Sequence, residues 1–414
     1  MRICSPLTDG GHRRVAASTL LLLCGLCGPA LAQSAGDPQF EIDLRGRLQG
    51  DLGIAGDPDR IGSFGAGDFT PDRELGAAGE IRRARIGIEG RYGDWAFEAE
   101  ADFADGDVEA NDVWVGYRPR DSGLDILIGH QKTPVSMAEA TSSLTTRFVE
   151  RAGFTDAFSF GRETGVSVAW RGASWAVIGG AYIDGAFSGD DTANGYLLTA
   201  RAHHAWQWQD GLLHLGVSTQ FHDDGAEVGR LRQRPVVHST DTRFIEADLR
   251  DLSPSGQTFI GGELALAQGA FDFTAEYGTM LTDTAAGTHM AEGAAIGGGW
   301  FLTGEQRKYR GKDGIWGMTE PDSPLGSGGF GALQVNAGVD WLELNDDTTG
   351  IRGGRQIAWQ AGLIWIPITQ VRFLATVNHI EIDDSPTRLK RRGDGSLSAD
   401  FHLTSIGLRA QLHW

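Results

Sequence analysis

A strict two-residue alternation of apolar and polar side chains limits the folds that this chain can adopt. From Phe40 to Leu52 the even positions are apolar or glycine, and the odd positions are charged or amide residues. A period of two places one face of an extended strand in apolar surroundings and the other in water. The pattern returns at 81–92 and 95–103, and the tight turn Gly93-Asp94 between these segments predicts a hairpin.

Similar segments continue to the end of the chain, separated by loops rich in Gly, Asp, Asn and Ser. They raise the count to about 16 strands, which predicts an all-β fold, specifically a transmembrane antiparallel β-barrel. The further candidates are 110–118, 123–132, 163–172, 174–183, 195–204, 212–221, 257–267, 270–280, 294–304, 330–343, 355–366, 370–381 and 400–414.

The connections and the aromatic residues favour a barrel in a membrane over a soluble sandwich or propeller. We expect the short turns on one rim and the long connections 53–80, 133–162, 222–256 and 305–329 on the other, as in outer-membrane barrels. Aromatic residues at outward strand ends suit a bilayer interface. We assign that position to Trp95, Trp114, Trp170, Trp175, Tyr182, Trp300 and Trp365.

The first 32 residues are interpreted as a secretory signal that is cleaved after Ala32. A basic start, an apolar run at 15–26 and the A-x-A site Ala30-Leu31-Ala32 form the usual pattern. A lipoprotein site at Cys24 fits poorly, because Leu23 occupies the position where a small residue is preferred. We therefore predict a single outer-membrane β-barrel domain over residues 33–414.

Composition and motifs narrow the function classes. The formal net charge of −19 argues against a nucleic-acid partner. All three cysteines, at 4, 24 and 27, fall in the signal, so cysteine chemistry is excluded from the mature protein. The motifs G-x-S-x-G and H-E-x-x-H, the Walker loop and the Rossmann fingerprint are all missing from the sequence. His203 and His204 are adjacent, so on a strand they point to opposite faces and cannot share a metal. We expect no enzyme, no cofactor and no metal.

The chain ends on a regular alternating strand. Apolar residues occupy every second position from Ile406 to the terminal Trp414. This resembles the C-terminal sorting signal of outer-membrane barrels, in which an aromatic residue closes the last strand. We assign that role to Trp414.

Three blocks carry a wider resemblance. The first is IRRARIGIEG at 81–90 with 98–103; the second runs from IGHQKTP at 128–134 through FVER at 148–151 to GRETGV at 161–166; the third is WFLTGEQRKY at 300–309. A weaker block lies at 361–373. In this order they resemble the phosphate-selective porin O and P family, and they span most of the mature chain.

The resemblance implies a 16-stranded bacterial outer-membrane barrel that is usually a homotrimer and passes small anions by diffusion. Namesake members prefer phosphate or polyphosphate and use lumenal arginines and lysines at a constriction. His130-Gln131 stands where the family often has an aromatic residue beside its lysine, and the chain has only four lysines. Phosphate preference therefore stays open.

The long connection 133–162 is predicted to fold into the lumen and narrow it. Fixed positive charge in a narrow, low-dielectric channel concentrates anions, and arginine binds oxyanions through two parallel hydrogen bonds. The alternative for each cation is an ion pair with a neighbouring acid, among them Glu139, Glu150 and Glu163, and spacing does not decide between the two. The candidate constriction residues are Lys132, Arg147, Arg151, Arg162 and, by strand parity, Arg83 and Arg85.

The leading hypothesis is an anion-preferring diffusion channel in contact with outer-membrane lipid and lipopolysaccharide. Two alternatives stay open at this point. One is an outer-membrane barrel enzyme that acts on lipids, and the other is a soluble secreted β-protein that binds carbohydrate. Ion conductance in a planar bilayer separates the channel from the enzyme.

Overall fold

The computed structural model describes residues 40–183, 195–223 and 229–414, and these residues form a closed antiparallel β-barrel. The predicted signal, 1–32, lies outside the described residues. The barrel has sixteen strands, as predicted. They are Phe40–Ala55, Gly76–Tyr92, Trp95–Asp102, Glu109–Tyr117, Leu124–Lys132, Arg162–Arg171, Trp175–Ile183, Tyr196–Trp208, Gly211–Asp223, Gly256–Gln268, Phe271–Thr284, Gly287–Phe301, Ala332–Asp346, Ile351–Ile368, Val371–Asp383 and Phe401–His413.

The connections carry small elements of their own. Loop strands form one four-stranded sheet from Ile61–Gly65, Asp68–Pro71, Leu389–Arg391 and Leu397–Ser398, and two hairpins, Arg230–Gln233 with Ile245–Asp248 and Tyr309–Arg310 with Ile315–Trp316. The described helices are the short α-helices Met137–Ala140 and Gly153–Ala157 and the 3-10 turns Ala104–Gly106 and Arg250–Leu252. None of these helices is long and apolar enough to cross a bilayer.

The alternation in the sequence becomes the two faces of the wall. In the first strand Leu44 is 64% exposed and Leu52 61% exposed, whereas Gln49 between them is 0% exposed. In this strand, apolar side chains therefore point out of the barrel and polar ones point into the lumen. This arrangement suits a wall whose outer surface meets hydrocarbon.

Two of the aromatic positions were assigned to the wrong face. Trp114 is only 9% exposed and Tyr182 only 2% exposed, because both side chains point into the lumen. In the lumen, Arg118 stacks over the Trp114 ring at 4.5 Å. The other five aromatic residues of that set are outside, with Trp95 and Trp170 the most exposed.

The rims agree with the prediction except at one connection. The turns 93–94, 172–174, 209–210, 269–270 and 369–370 share one rim, and the long connections 56–75, 133–161 and 384–400 share the other. The long connection 302–331 lies on the short-turn rim, so its predicted placement with the long loops was wrong. It follows the twelfth strand, and in an antiparallel barrel all connections after even-numbered strands share the rim of the turn 93–94. The connection before it, on the long-loop rim, is only the tight turn 285–286.

Loops from the long-loop rim pack inside the barrel rather than above it. Phe154, Leu231, Phe244 and Ile245 are each at most 2% exposed and join wall residues such as Phe259 in one hydrophobic cluster. Burial of this apolar surface stabilises the loops in the lumen.

The barrel closes where the first strand meets the last. Gly50 lies opposite Ala410, and this pairing continues to the chain end. Gly46 and Trp414 exchange two backbone hydrogen bonds of 3.0 and 3.1 Å. The Trp414 indole packs so closely on Gly46 that a Cβ atom at this position would collide with the ring.

Candidate channel constriction

One loop crosses the barrel lumen, as the sequence predicted. This constriction loop, residues 133–161, starts behind the fifth barrel strand and reaches the opposite wall. There Glu276 accepts hydrogen bonds from Ser136 Oγ at 2.7 Å and from Met137 N at 2.9 Å. Further along, Asp340 accepts one from Gly153 N at 2.7 Å. Two wall carboxylates therefore hold the two helical turns of the loop.

Between these anchors, side-chain donors fix the loop backbone. The carbonyl groups of residues 143–146 accept hydrogen bonds of 2.6–3.3 Å from Gln49, Gln411, Arg372 and Arg307. A carbonyl oxygen carries only a partial charge, so these contacts satisfy the guanidinium donors without neutralising them.

A second loop enters the lumen from the opposite rim. In this inner loop, residues 302–331, the Tyr309 hydroxyl lies 2.5 Å from His214 Nδ1, and Trp316 Nε1 donates to Thr274 Oγ1 at 2.9 Å. The constriction loop touches it where Thr145 Oγ1 donates to the Trp316 carbonyl at 3.3 Å. The lumen is therefore narrowed from both ends.

Two of the predicted cations share one acid of the constriction loop. Lys132 Nζ donates to the Glu139 carbonyl at 2.6 Å and lies 3.1 Å from Glu139 Oε1. Arg151 donates to the carbonyls of Ala138 and Thr141 and lies 3.7 Å from the Glu139 carboxylate. Burial acts to raise the pKa of Glu139, but the attraction of Lys132 and Arg151 outweighs burial and holds that pKa below its ordinary value.

Arg147 is bonded to the wall opposite. It forms a buried ion pair with Asp272 and donates to Asn336 Oδ1 at 3.1 Å. Arg307 of the inner loop binds the same Asp272 oxygen at 2.9 Å, and burial lowers the pKa of Arg307 to about 10. Arg372 donates to loop carbonyls near this pair. Three guanidinium groups thus gather around one carboxylate, which leaves a positive excess.

Two further predicted cations are paired on the first-strand side of the lumen. Arg162 binds Asp112 through two hydrogen bonds of 2.8 and 3.1 Å. Arg85 binds Asp102 at 2.7 Å and Glu100 at 3.2 Å. The structure therefore brings Arg85 and Arg162 to the lumen wall, where both are held by acids.

Arg83 differs from the other candidates. It is 8% exposed, and its side-chain partner is the neutral Gln49, whose Oε1 accepts a hydrogen bond from Arg83 Nη1 at 3.0 Å. The pairing register slips here, because Gln49 lies opposite Arg83 while Gly50 lies opposite Ile81. Arg82 is the extra residue of this β-bulge, so Arg82 and Arg83 both point inward. Within the described ranges, neither arginine has a carboxylate within 4 Å.

Sequence reasoning missed four lumenal arginines of this region as site residues: Arg82, Arg307, Arg372 and Arg409. Strand parity alone places Arg372 and Arg409 in the lumen, so a sequence signal existed for both. Arg409 makes a bidentate pair with Asp51 at 2.6 and 2.7 Å. The bulge hid Arg82 from a strict alternation, and Arg307 lies in a loop without periodicity.

Metal binding gains no support from the described part of the chain. It contains no group of three or more His, Cys, Asp or Glu side chains that could hold an ion. His203 faces the lumen at 5% exposure, and its neighbour His204 is exposed on the outer wall. The two histidines point to opposite faces, as expected for adjacent strand residues.

The closed barrel with an inward constriction loop is the architecture of outer-membrane porins, and solved porin structures are similar to it. An outer-membrane protein OmpT of Vibrio cholerae in a trimer form matches with a TM-score of 0.55 at 14% identity, over 91% of this chain and 99% of that chain. An anion-selective porin from Comamonas acidovorans matches with a TM-score of 0.52 at 9% identity, over 91% and 100%. The outer-membrane channel DcaP of Acinetobacter baumannii matches with a TM-score of 0.51 at 13% identity, over 91% and 97%. At these identities the likeness establishes the fold.

The sequence comparison identifies the family. The chain belongs to the phosphate-selective porin O and P family, whose model matches residues 61–414. An uncharacterized protein of Caulobacter vibrioides is 34% identical over 402 residues, which cover 91% of this chain and 76% of that protein. The protein is an outer-membrane channel, and the alternative of a soluble secreted β-protein is wrong.

Proposed function

We propose that the channel passes small anions by passive diffusion and excludes cations by charge. The observation that carries this proposal is the pair Arg82 and Arg83, which the bulge turns into the lumen and which have no carboxylate within 4 Å among the described residues. Positive charge without a directly bonded acid in a low-dielectric channel raises the local concentration of anions. The excess around Asp272, where Arg147, Arg307 and Arg372 gather, acts in the same direction.

The proposed solute class is the small oxyanion, with phosphate as its simplest member. Guanidinium groups bind oxyanions through paired hydrogen bonds, and arginine supplies nearly all of the lumenal cations here. The name of the family and that of the Comamonas porin agree with this class. Lys132 is bonded to Glu139, so the candidate oxyanion ligands are Arg82 and Arg83, which have no carboxylate within 4 Å among the described residues.

The experiment is a bilayer recording with the purified protein. In a threefold KCl gradient the reversal potential is expected to have the sign of chloride permeation, and added phosphate is expected to reduce the chloride current. A reversal potential of the opposite sign contradicts anion preference. A current that phosphate leaves unchanged limits the proposal to small anions in general.

We also propose that three copies assemble through one side of the barrel. The five consecutive strands between residues 95 and 183 have only 8–10 residues, whereas the other strands have 13–18. A tilted strand rises about 2.6 Å per residue, so these strands span about 20–26 Å and only just match the apolar band of about 25 Å, whereas the other strands extend beyond it. Phe103 and Val108 are exposed at the top of this wall. A second copy would cover this low wall, where the strands project least beyond the bilayer. Cross-linking in detergent is expected to give trimers, and a monomer at all protein concentrations would contradict this.

The long side of the outer wall supports the expected contact with lipopolysaccharide. Its register places Glu292 opposite Glu343, Glu343 opposite Arg355 and Arg355 opposite Asp383, all outside the lumen. Outward charges in a row suit the level of lipid head groups. We infer that this row marks the outer edge of the hydrocarbon region. Spin labels along the outward positions of one strand would test it through their accessibility to oxygen.

Three further inferences concern the chain ends and the chemistry. Residues 1–32 are inferred to be removed on export, and Trp414 to serve assembly of the barrel. Mass determination of the mature protein and outer-membrane assembly of Trp414→Ala test these two. We propose that the protein is a channel without enzymatic activity, rather than a lipid-acting barrel enzyme, and release of fatty acid from outer-membrane lipids would contradict this.

A further inference from the structure

One wall carboxylate binds two loops that enter the lumen from opposite rims. Asp272 Oδ1 accepts hydrogen bonds from Arg147 of the constriction loop and from Arg307 of the inner loop. Its other oxygen accepts one from Gln334 Nε2 at 2.6 Å. The Asp272 side chain is 1% exposed, and the two arginine side chains are 7% exposed. A buried carboxylate that is shared in this way fixes the positions of both guanidinium groups.

The polar contacts between the loops involve the same arginine. Arg307 Nη2 donates to the Thr145 carbonyl at 2.8 Å, while the guanidinium stacks over the Trp316 ring at 4.5 Å. Thr145 in turn donates to the Trp316 carbonyl. Arg307 can make these contacts because its Nη1 is held by Asp272. The Asp272 carboxylate thus holds Arg307 in the position from which it contacts the constriction loop.

The other attachments of the two arginines cannot replace this carboxylate. On the wall, Arg147 otherwise donates to the neutral side chains of Asn336 and Thr274. Without Asp272, two buried guanidinium groups would face each other with neutral partners. Leaving charges buried without a counter-charge is strongly unfavourable, so the loops would move to bring them to water.

We propose that Asp272 is the positioning residue that fixes the constriction loop and the inner loop relative to each other. The inference deepens the proposed channel function, since these two loops define the path that the solute takes. It differs from a general effect of lumenal charge, because any lumenal carboxylate contributes to the field, whereas Asp272 alone among the described residues binds cations of both loops.

The test uses single cysteine reporters. The cysteines at 4, 24 and 27 lie in the predicted signal, so the mature chain offers a clean background. Thr146→Cys reports on the constriction loop and Thr319→Cys on the inner loop, and both positions are 8% exposed. In the folded protein with Asp272→Asn, maleimide labelling of both reporters is expected to accelerate at least about tenfold, because labelling of a buried site follows local opening.

The matched control is Glu98→Gln, which removes one lumenal carboxylate that is bonded to Arg45 on the wall. Both variants remove one negative charge, so an effect of field alone would be common to both. Labelling in the control is expected to stay within about twofold of the parent, as the loops keep their anchor. Acceleration of only one reporter by Asp272→Asn, or of neither, would overturn the proposal.

One further measurement and one further variant keep the outcome interpretable. Heat-modifiable mobility shows whether each variant has a folded barrel; should Asp272→Asn not fold, Asp272→Glu keeps the charge but displaces it by one methylene. That variant is expected to accelerate both reporters by an equal but smaller factor, and unequal or unchanged rates would again overturn the proposal. Labelling does not require conduction, so a wild type that shows no anion preference would contradict the proposed function and leave this test standing.

Discussion

The bulge at Arg82 and Arg83 gives the sharpest test of how the channel selects ions. The perturbation is the double variant Arg82→Gln/Arg83→Gln. Neither arginine has a carboxylate within 4 Å among the described residues, and Glu150, the acid that Arg82 attracts from farther away, keeps Arg409 at 3.3 Å. Replacing Arg85 would strand Asp102 and cost about 3–5 kcal/mol of stability. The double variant should therefore fold.

The magnitude follows from Coulomb's law. An ion that passes about 6 Å from one guanidinium in water gains or loses about 0.7 kcal/mol. Screening at 0.1 M salt, with a Debye length of about 10 Å, reduces this to about 0.4 kcal/mol. Each of the two charges favours an anion and disfavours a cation by about 0.4 kcal/mol. Removing both therefore changes the free-energy difference between anion and cation passage by about 1.6 kcal/mol, which changes the permeability ratio somewhat more than tenfold. At 1 M salt the same change should shrink to about twofold.

The assay is the reversal potential in a threefold KCl gradient, recorded at 0.1 M and again near 1 M salt. The control is Arg250→Gln, since Arg250 is exposed on a loop, where it pairs with Asp248. It removes one positive charge without altering the channel and should leave the ratio unchanged. A folded double variant whose permeability ratio stays within twofold of the wild type at low salt would refute the reasoning.

Three further predictions concern stability, closure and pH. Arg409→Met should lower the free energy of unfolding by about 3–5 kcal/mol in a denaturant titration, because it strands the buried Asp51, and Asp51→Asn should restore part of the loss. Gly46→Leu should reduce the folded fraction in heat-modifiable mobility, since its side chain collides with Trp414, while Gly50→Ala, with open space at Cβ, should not. The pKa of Glu139 is lowered on folding, so its stabilisation is present above the ordinary carboxyl pKa of about 4.3 and is lost as pH falls through the folded value. Open-channel noise should therefore rise at acidic pH, and Glu139→Gln should show that noise at neutral pH as well.

The fold was predictable because successive side chains of a barrel strand face the lipid and the lumen alternately, so the sequence alternates between apolar and polar residues. The side-chain period of two gave the strand number, the lumenal face and the closing strand, and the family motifs gave the inward loop. Two aromatic residues were misplaced because Trp114 and Tyr182 suit a membrane interface by type, whereas only local register decides their face. The inner loop was missed because residues 302–331 have no period that could reveal where they pack.

The sequence predicted which cationic residues lie at the candidate site, but not which acids they pair with. Arg83, Arg85, Lys132, Arg147, Arg151 and Arg162 all lie in or beside the lumen, as the parity and the loop position indicated. Which of them carries uncompensated charge depends on acids that are distant in sequence. Asp272 meets Arg147 across 125 positions of chain, and such a contact leaves no local signal.

The bulge also bears on how such a channel can change by insertion and deletion. Ile81 already faces Gly50 and Arg83 already faces Gln49, so a chain without Arg82 would continue its hydrogen-bond ladder in uninterrupted register. A one-residue insertion elsewhere in the wall would turn every following side chain to the opposite face. At this position the gain or loss of one codon instead adds or removes a single lumenal cation and leaves both halves of the strand as they were. Ion selectivity in this lineage can thus evolve by insertion or deletion of one residue as well as by substitution.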